Sequence, residues 1–317
     1  HIVGGLHPSL PFDYYTTMLS AIRDAAPSLH LKAFTAVEIV HLARISRRWK
    51  DRSEGIRRVL LDLRDAGLGS LPGGGAEVFD DRVHDEAFRG KIRSDEWLDV
   101  HRVAHEIGLN SNATMLYGHI EQVADRLHHF ELLRTQQDRT LRDWASAQGI
   151  ECGTDGAVVL TGPEDRYPRA RLPRVGADGL STGYFQTIIP LPFFPDESEL
   201  EHLPGPTGLE NLRTLAMSRL MLDNFPHVKA FWIMQTLGMA QVMLENGADD
   251  LDGTVVWYDI TKVGKRSTHQ EVSVSDLRRA IREAGFDPVE RDTLYRRVVR
   301  DGREWRVEGE HADRHRP

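Results

Sequence analysis

The chain alternates between short apolar runs and longer stretches in which apolar residues return every three or four positions. Leu29 to Phe34 is the first such run, and in Glu54 to Ala66 the residues Ile56, Val59, Leu60 and Leu63 recur at helical spacing until Gly67 breaks the pattern. Tyr14 to Ala25 reads as the first complete helix, and Asp95 to Ile107 as another, with Ser94 placed to cap its start and Gly108 to stop it. Asn110 to Tyr117 predicts a strand, Glu121 to Arg134 a helix, Thr187 to Pro192 a buried strand and Leu209 to Leu222 a helix. Val228 to Ile233, Met239 to Glu245 and Gly253 to Tyr258 continue as strand, helix and final strand. Repeated βα units with apolar strands imply a parallel sheet in an α/β fold, and this many of them favour a (β/α)8 TIM-like barrel over an open sheet.

Glycine and polar residues gather after the strands. Ser70-Leu71-Pro72-Gly73-Gly74-Gly75-Ala76-Glu77 bares backbone and then presents a carboxylate, a pattern suited to close approach of a ligand or to a plain tight turn. In a barrel the loops after the strands share one mouth. That would bring together Gly4, Gly5 and His7, then Glu38, Gly73 to Glu77, Tyr117 to Glu121, and Phe193 to Ser198. His1-Ile2-Val3 reads as the end of a strand running into Gly4-Gly5, so the expectation is a barrel shortened at its N-terminus, with the first strand and helix missing.

Composition narrows the class. The chain has 317 residues, formal net charge −8 and 40% hydrophobic residues, with pI near 6.0, which suits one large α/β domain. The acidic balance argues against nucleic acid as a partner, no apolar run is long enough for a membrane span, and no secretory signal opens the chain. The single cysteine, Cys152, excludes an internal disulfide and points to the reducing cytoplasm.

Six motifs in order resemble those of aminofutalosine synthase, a radical S-adenosylmethionine enzyme of menaquinone biosynthesis. They are Ile2 to Pro8, Lys32 to Ile39, Ser70 to Glu77, Asn112 to Glu121, Leu220 to His227, and Gly247 to Val256. The resemblance runs from residue 1 to about Tyr295 and excludes 138–182. The glycine run is shared with two siblings, dehypoxanthine futalosine cyclase and the deazaflavin-forming synthase, whereas the last two motifs resemble aminofutalosine synthase more closely.

The resemblance implies a radical S-adenosylmethionine barrel over residues 1–295, an atypical insertion at about 138–182, and a charged tail at 296–317. It implies S-adenosylmethionine held by Gly4, Gly5 and His7, with Glu77 near the ribose or methionine part and Thr114 to Gly118 lining the adenosyl group. The implied reaction adds the 5′-deoxyadenosyl radical to 3-[(1-carboxyvinyl)oxy]benzoate, with aryl migration and decarboxylation. An external electron donor would be a partner. A dicarboxylate substrate needs cationic or hydrogen-bonding groups, for which His119, Arg219, His227 and Lys229 are candidates, His119 first; Arg219 and Lys229 also read as surface or structural residues.

Two departures qualify this. The implied [4Fe-4S] cluster needs a three-cysteine motif after the first strand, and this sequence has none, so the chain as given is expected to be inactive. Either an upstream stretch carries the motif, which the strand-like start favours, or the activity has been lost and a non-catalytic nucleoside-binding barrel remains. The second departure is Asp138 to Thr182, read as a surface excursion carrying Trp144 and a Pro- and Arg-rich run, with a lid or partner contact as the alternative. Phe193-Phe194-Pro195 also departs from the family pattern, which places a histidine near Phe194.

His101 and His105 lie four apart on a predicted helix, with His128 and His129 nearby. That spacing suits a metal, but without a third ligand they read as solvated helix histidines. Arg296 to Arg300 reads as a solvated basic face, and Glu308 to Pro317 as a disordered terminus.

Overall fold

The computed structural model describes residues 1–147, 183–254 and 272–308. Six parallel strands pair strictly in chain order: β1 (Leu31–Lys32), β2 (Leu68–Leu71), β3 (Asn110–Tyr117), β4 (Phe185–Pro192), β5 (His227–Ala230) and β6 (Asp250–Leu251). Ile2 adds one more parallel bridge, to Ala33 outside β1. An open doubly wound sheet would reverse its order at a switch point; this one never does, which is the winding of a barrel. The sheet also curls. Lys32 on β1 feels the charges of Lys229 on β5 and Asp250 on β6, which a flat sheet would hold at its far edge.

Helices fill the crossovers: α1 (Phe12–Ala25), α2 (Ala36–Ile45), α3 (Arg52–Ala66), α4 (Asp81–Ala87), α5 (Ser94–Glu106), α6 (Val123–Ala147), α7 (Gly208–Met221), α8 (Trp232–Gln235), α9 (Leu237–Glu245) and α10 (Val274–Glu283). Local chemistry sets their ends. Thr35 and Glu38 form a reciprocal capping box at α2, and Asp51 caps α3, which stops at Gly67 with φ of 122°. Arg93, not Ser94, occupies the cap position of α5, while Gly108 at φ 86° ends it as expected.

A register shift between Ser111 and Asn112 pairs Ser111 with Phe185 but Asn112 with Thr187. The extra residue turns the β4 side chains over. Phe185 therefore packs outward between Trp97 of α5 and Phe225, with ring centroids 5.8 and 5.3 Å away, whereas Thr187 lies on the inner face with Asn112.

Among the described residues the parallel sheet runs as far as β6; of the expected strand Gly253 to Tyr258, Gly253 and Thr254 lie just beyond β6 and 255–258 fall outside the described residues. α6 continues to Ala147, so residues 138–147 prolong this helix, while Cys152 and the rest of that segment fall outside the described residues. Within the predicted charged tail, β7 (Val298–Asp301) and β8 (Glu304–Val307) form an antiparallel hairpin, so the basic run Arg296 to Arg300 leads into and lies partly on a strand; residues 309–317 are not described.

His101 and His105 are not solvated: both are fully buried on α5. His101 lies 3.8 Å from the Trp97 ring centroid, and neither of its nitrogens has a hydrogen-bond partner. An unpartnered polar group in the core costs free energy that an apolar side chain of similar volume does not. His101→Leu is expected to raise stability by about 1–2 kcal/mol, read as a higher urea midpoint at pH 7.5; an unchanged or lower midpoint would mean that the Trp97 contact outweighs the missing hydrogen bonds.

Candidate functional site

At the C-terminal ends of the strands, the loop after Ile2 meets the start of α2. Ile2 N donates to Lys32 O (2.9 Å) and Ile2 O accepts from Phe34 N (3.2 Å), which fixes the chain alongside β1. Gly4 N then donates to Glu38 Oε1 (2.9 Å), while Glu38 Oε2 takes the Thr35 amide and hydroxyl at 2.8 and 2.9 Å. One buried carboxylate thus caps the helix and anchors the first glycine. Gly5 follows at φ 73°, and nothing lies within 4 Å of where its Cβ would stand. Its backbone is bare toward solvent. His7 is turned to local work: its Nδ1 accepts from the amides of Ser9 and Leu10 at 3.3 and 3.2 Å.

The second glycine run is used differently. A Cβ on Gly73 would stand 2.7 Å from the backbone of β3 at Asn112 and Ala113, and one on Gly75 would meet the Val37 side chain at 2.4 Å. Thr114 Oγ1 donates to Gly73 O (2.7 Å), so its hydroxyl is already committed. These glycines let the loop after β2 press against β3 and α2, which is a packing role. The run ends at Glu77, held at φ 47° with its carboxylate 2.5 Å from Lys91 Nζ, in a small cleft also lined by His84 and Phe88.

The loop after β3 is organised by a second buried carboxylate. Glu121 accepts from the amides of Gly118 (2.6 Å) and His119 (2.9 Å) and pairs with Arg126. The expectation that His119 faces the mouth is corrected here. Its imidazole is fully buried between Phe88 and Phe193, Nε2–H donates to Leu116 O (3.2 Å), and burial keeps it neutral by lowering its pKa. Nδ1 stands 3.2 Å from Glu121 Oε2 without hydrogen-bond geometry.

Arg219 and His227 are corrected too. Both gather around Asp249, just before β6, at the opposite end of the sheet from the mouth. Arg219 donates to Gly247 O and Asp249 Oδ1, both at 2.7 Å. His227, at the start of β5, contacts Asp249 Oδ2 (3.0 Å) and stacks on Tyr295 at 4.1 Å.

Inside the sheet, Leu116 of β3, Ile189 and Leu191 of β4, and Phe231 just after β5 remain partly exposed, while the residues alternating with them are buried. Toward the other end the inner face becomes polar and closed. Lys32, Asn112, Thr187 and Lys229 are all buried there, and Arg291 and Tyr295 close it from beneath through bonds to Asp250. The sequence reading missed this floor. Its signal is Lys32, a lone charge within the apolar run Leu29 to Phe34.

This geometry, an apolar lumen opening at the strand ends above a charged floor, accompanies clear sequence kinship. Aminodeoxyfutalosine synthase of Thermus thermophilus is 39% identical over 302 residues, covering 94% of this chain and 68% of that protein. The enzyme of that name from Streptomyces coelicolor is 38% identical, covering 93% of this chain and 67% of the relative. The chain belongs to the aminodeoxyfutalosine synthase family. A sibling group lies close by: the 5-amino-6-(D-ribitylamino)uracil–L-tyrosine 4-hydroxyphenyl transferase of Methanopyrus kandleri is 31% identical over 93% of this chain and 68% of its own length. The model for the CofH/MqnC C-terminal region matches residues 181–302. Methylornithine synthase, whose crystal structure superposes with a TM-score of 0.56 at 12% identity over 88% of this chain and 64% of its own, shares the fold.

The family is one of radical S-adenosylmethionine enzymes, which implies that cofactor and an iron–sulfur cluster. The residues present do not fit a cluster: the sole cysteine, Cys152, falls outside the described residues, and among the described residues no group of His, Cys, Asp and Glu is placed to hold a metal. Open backbone at Gly5 beside the anchored Gly4 does fit the amino-acid end of S-adenosylmethionine. No described helix is long and apolar enough to cross a membrane.

Proposed function

We propose that this chain forms the ligand-binding barrel of an aminodeoxyfutalosine synthase. The overall reaction joins the 5′-deoxyadenosyl group of S-adenosylmethionine to the enolpyruvyl double bond of 3-[(1-carboxyvinyl)oxy]benzoate, with aryl migration and loss of one carboxylate. Identity of 38–39% to two synthases over almost the whole chain is the observation that carries this reading. Supporting it, Gly4 and Gly5 present backbone beside Glu38 for the methionine end, and Glu77 stands at the rim for ribose hydroxyls. The partly exposed Leu116, Ile189 and Leu191 give the aryl ring an apolar wall. The protein's part here is to bind and align the two ligands and to exclude water from them.

Calorimetric titration separates this from the sibling activity. The chain is expected to bind S-adenosylmethionine and, in its presence, 3-[(1-carboxyvinyl)oxy]benzoate at least tenfold more tightly than L-tyrosine. A preference for L-tyrosine would assign it to the tyrosine transferases instead.

A further inference from the structure

Among the described residues, the floor of the lumen holds three cations, Lys32, Lys229 and Arg291, against two carboxylates, Asp250 and Asp252. Asp250 takes Arg291 in two-pronged fashion, Nε to Oδ1 at 3.0 Å and Nη2 to Oδ2 at 2.9 Å, and also accepts from Tyr295 Oη at 3.0 Å. Lys229 Nζ donates to Asp252 Oδ1 (2.8 Å) and stands 3.5 Å from Asp250 Oδ2. Two carboxylates thereby satisfy two cations. Lys32 is the third cation, and among the described residues it has no ion-pair partner. Among those residues its sole hydrogen bond is to Asn112 Oδ1 at 3.4 Å, or 3.2 Å with that amide turned so that its nitrogen donates to Ser111 O.

An ammonium has three donors, and a buried one leaves them unmade only at considerable cost. Lys32 is 7% exposed, and it reaches from β1 across β2 to touch β3, so it lies on the inner face. The charged and titratable groups facing it are His30 on its own segment, Lys229 from β5, Asp250 and Asp252 from β6 and the residues after it, and Arg291 with Tyr295 from the C-terminal segment. Burial first, and then the like charge of Lys229, bring the Lys32 pKa down to about 7. A carboxylate from outside the chain would supply what the site lacks: an acceptor, a counter-charge and a reason to stay protonated.

We propose that Lys32, supported by Asn112, is a carboxylate-binding subsite that anchors an aryl acid, with the ring lying above it among Leu116, Ile189, Leu191 and Phe231. That the acid is the enolpyruvyl benzoate rests on the function proposed above; the subsite itself needs only an aromatic ring and a carboxylate. Unlike the four candidates drawn from the sequence, this cation is inside the barrel and has no counter-charge among the described residues.

Lys32→Met tests it in the intact chain, with calorimetry in two buffers of different ionisation enthalpy at pH 8. Wild type is expected to take up roughly one proton per 3-[(1-carboxyvinyl)oxy]benzoate bound, because the carboxylate re-protonates a mostly neutral lysine. Lys32→Met should bind at least 30-fold more weakly with no proton uptake, while S-adenosylmethionine binding is retained and the melting temperature is equal or higher. A lysine kept for the fold would instead lower the melting temperature when removed. Unchanged affinity and unchanged proton uptake in Lys32→Met overturn the subsite. Wild type that ignores the enolpyruvyl benzoate, yet binds L-tyrosine with proton uptake that depends on Lys32, retains the subsite and overturns the proposed substrate. No Lys32-dependent binding of either acid overturns the subsite.

Discussion

Lowering the pH from 7.5 to 5.5 is expected to remove about 6 kcal/mol of folding stability, most of it through four histidines, three buried and His30 half-buried. His30 titrates at about 4 and His105 and His129 at about 3, and His101 lies well below its ordinary value; burial is the leading cause in each. Their neutral forms are built into the fold. His129 shows how: Nδ1 accepts from Phe79 N (3.1 Å), so Nε2 carries the proton and donates to Thr114 O (3.1 Å), while the ring stacks on Phe79 at 4.0 Å. Protonating it would turn that acceptor into a second donor facing an amide. Because the folded pKa values lie below the unfolded one near 6.5, stability is complete above about 6.5 and falls as the pH drops toward 4. At pH 5.5 each histidine contributes a loss of about 1.3 kcal/mol, since only the unfolded chain binds the proton. Lys32, titrating near 7, adds a smaller loss of the same sign. Urea unfolding at the two pH values measures the difference, a large share of the total for a domain of ordinary stability. His101→Leu should remove about a quarter of the histidine effect. A pH-independent midpoint would mean that these side chains open to water before the domain unfolds.

The same histidines mark where sequence pattern stops being informative. β3 was legible to the residue because Asn110 to Tyr117 is an unbroken strand-forming run between Gly108 and Gly118. α5 was legible as a helix, but not in its burial. It is enclosed by α2, α3, α6 and β3, so Trp97, Val100, His101, Val103, Ala104 and His105 are all buried, too wide an arc for a two-faced helix reading. The mouth was half legible. Ordering the loops by the strands they follow gave its members, yet not which glycines were bare: Gly5 is open, whereas Gly73 and Gly75 are filled by neighbours distant in sequence. The floor was not legible, because it joins Lys32, Lys229, Asp250 and Arg291 from four places along the chain, and only the curl of the sheet makes them neighbours.

Arg126→Met is expected to cost about 3–5 kcal/mol and to loosen the loop after β3. The guanidinium is almost wholly buried, and each arm is used: Nε donates to Glu121 Oε1 (2.7 Å), Nη1 to Thr214 Oγ1 (3.0 Å) and Nη2 to Glu210 Oε1 (2.5 Å). Glu210 is partly exposed and can recover water when the arginine is removed. Glu121 cannot, because its side chain is fully buried beneath the same loop whose amides, Gly118 and His119, it holds. Removing the arginine therefore leaves a carboxylate with two amide donors and no counter-charge, in surroundings where an unpaired charge is costly. Adding Glu121→Gln to Arg126→Met removes that charge and should restore about half of the loss, while one of the two loop amides loses its acceptor to the new NH2 group. The cycle also separates stability from function. If Glu121 positions the rim, the double variant should regain urea resistance but still bind S-adenosylmethionine at least tenfold more weakly than wild type. Should Arg126→Met alone cost less than about 1 kcal/mol, the two amides by themselves suffice to hold the carboxylate, and the arginine merely ties α6 to α7.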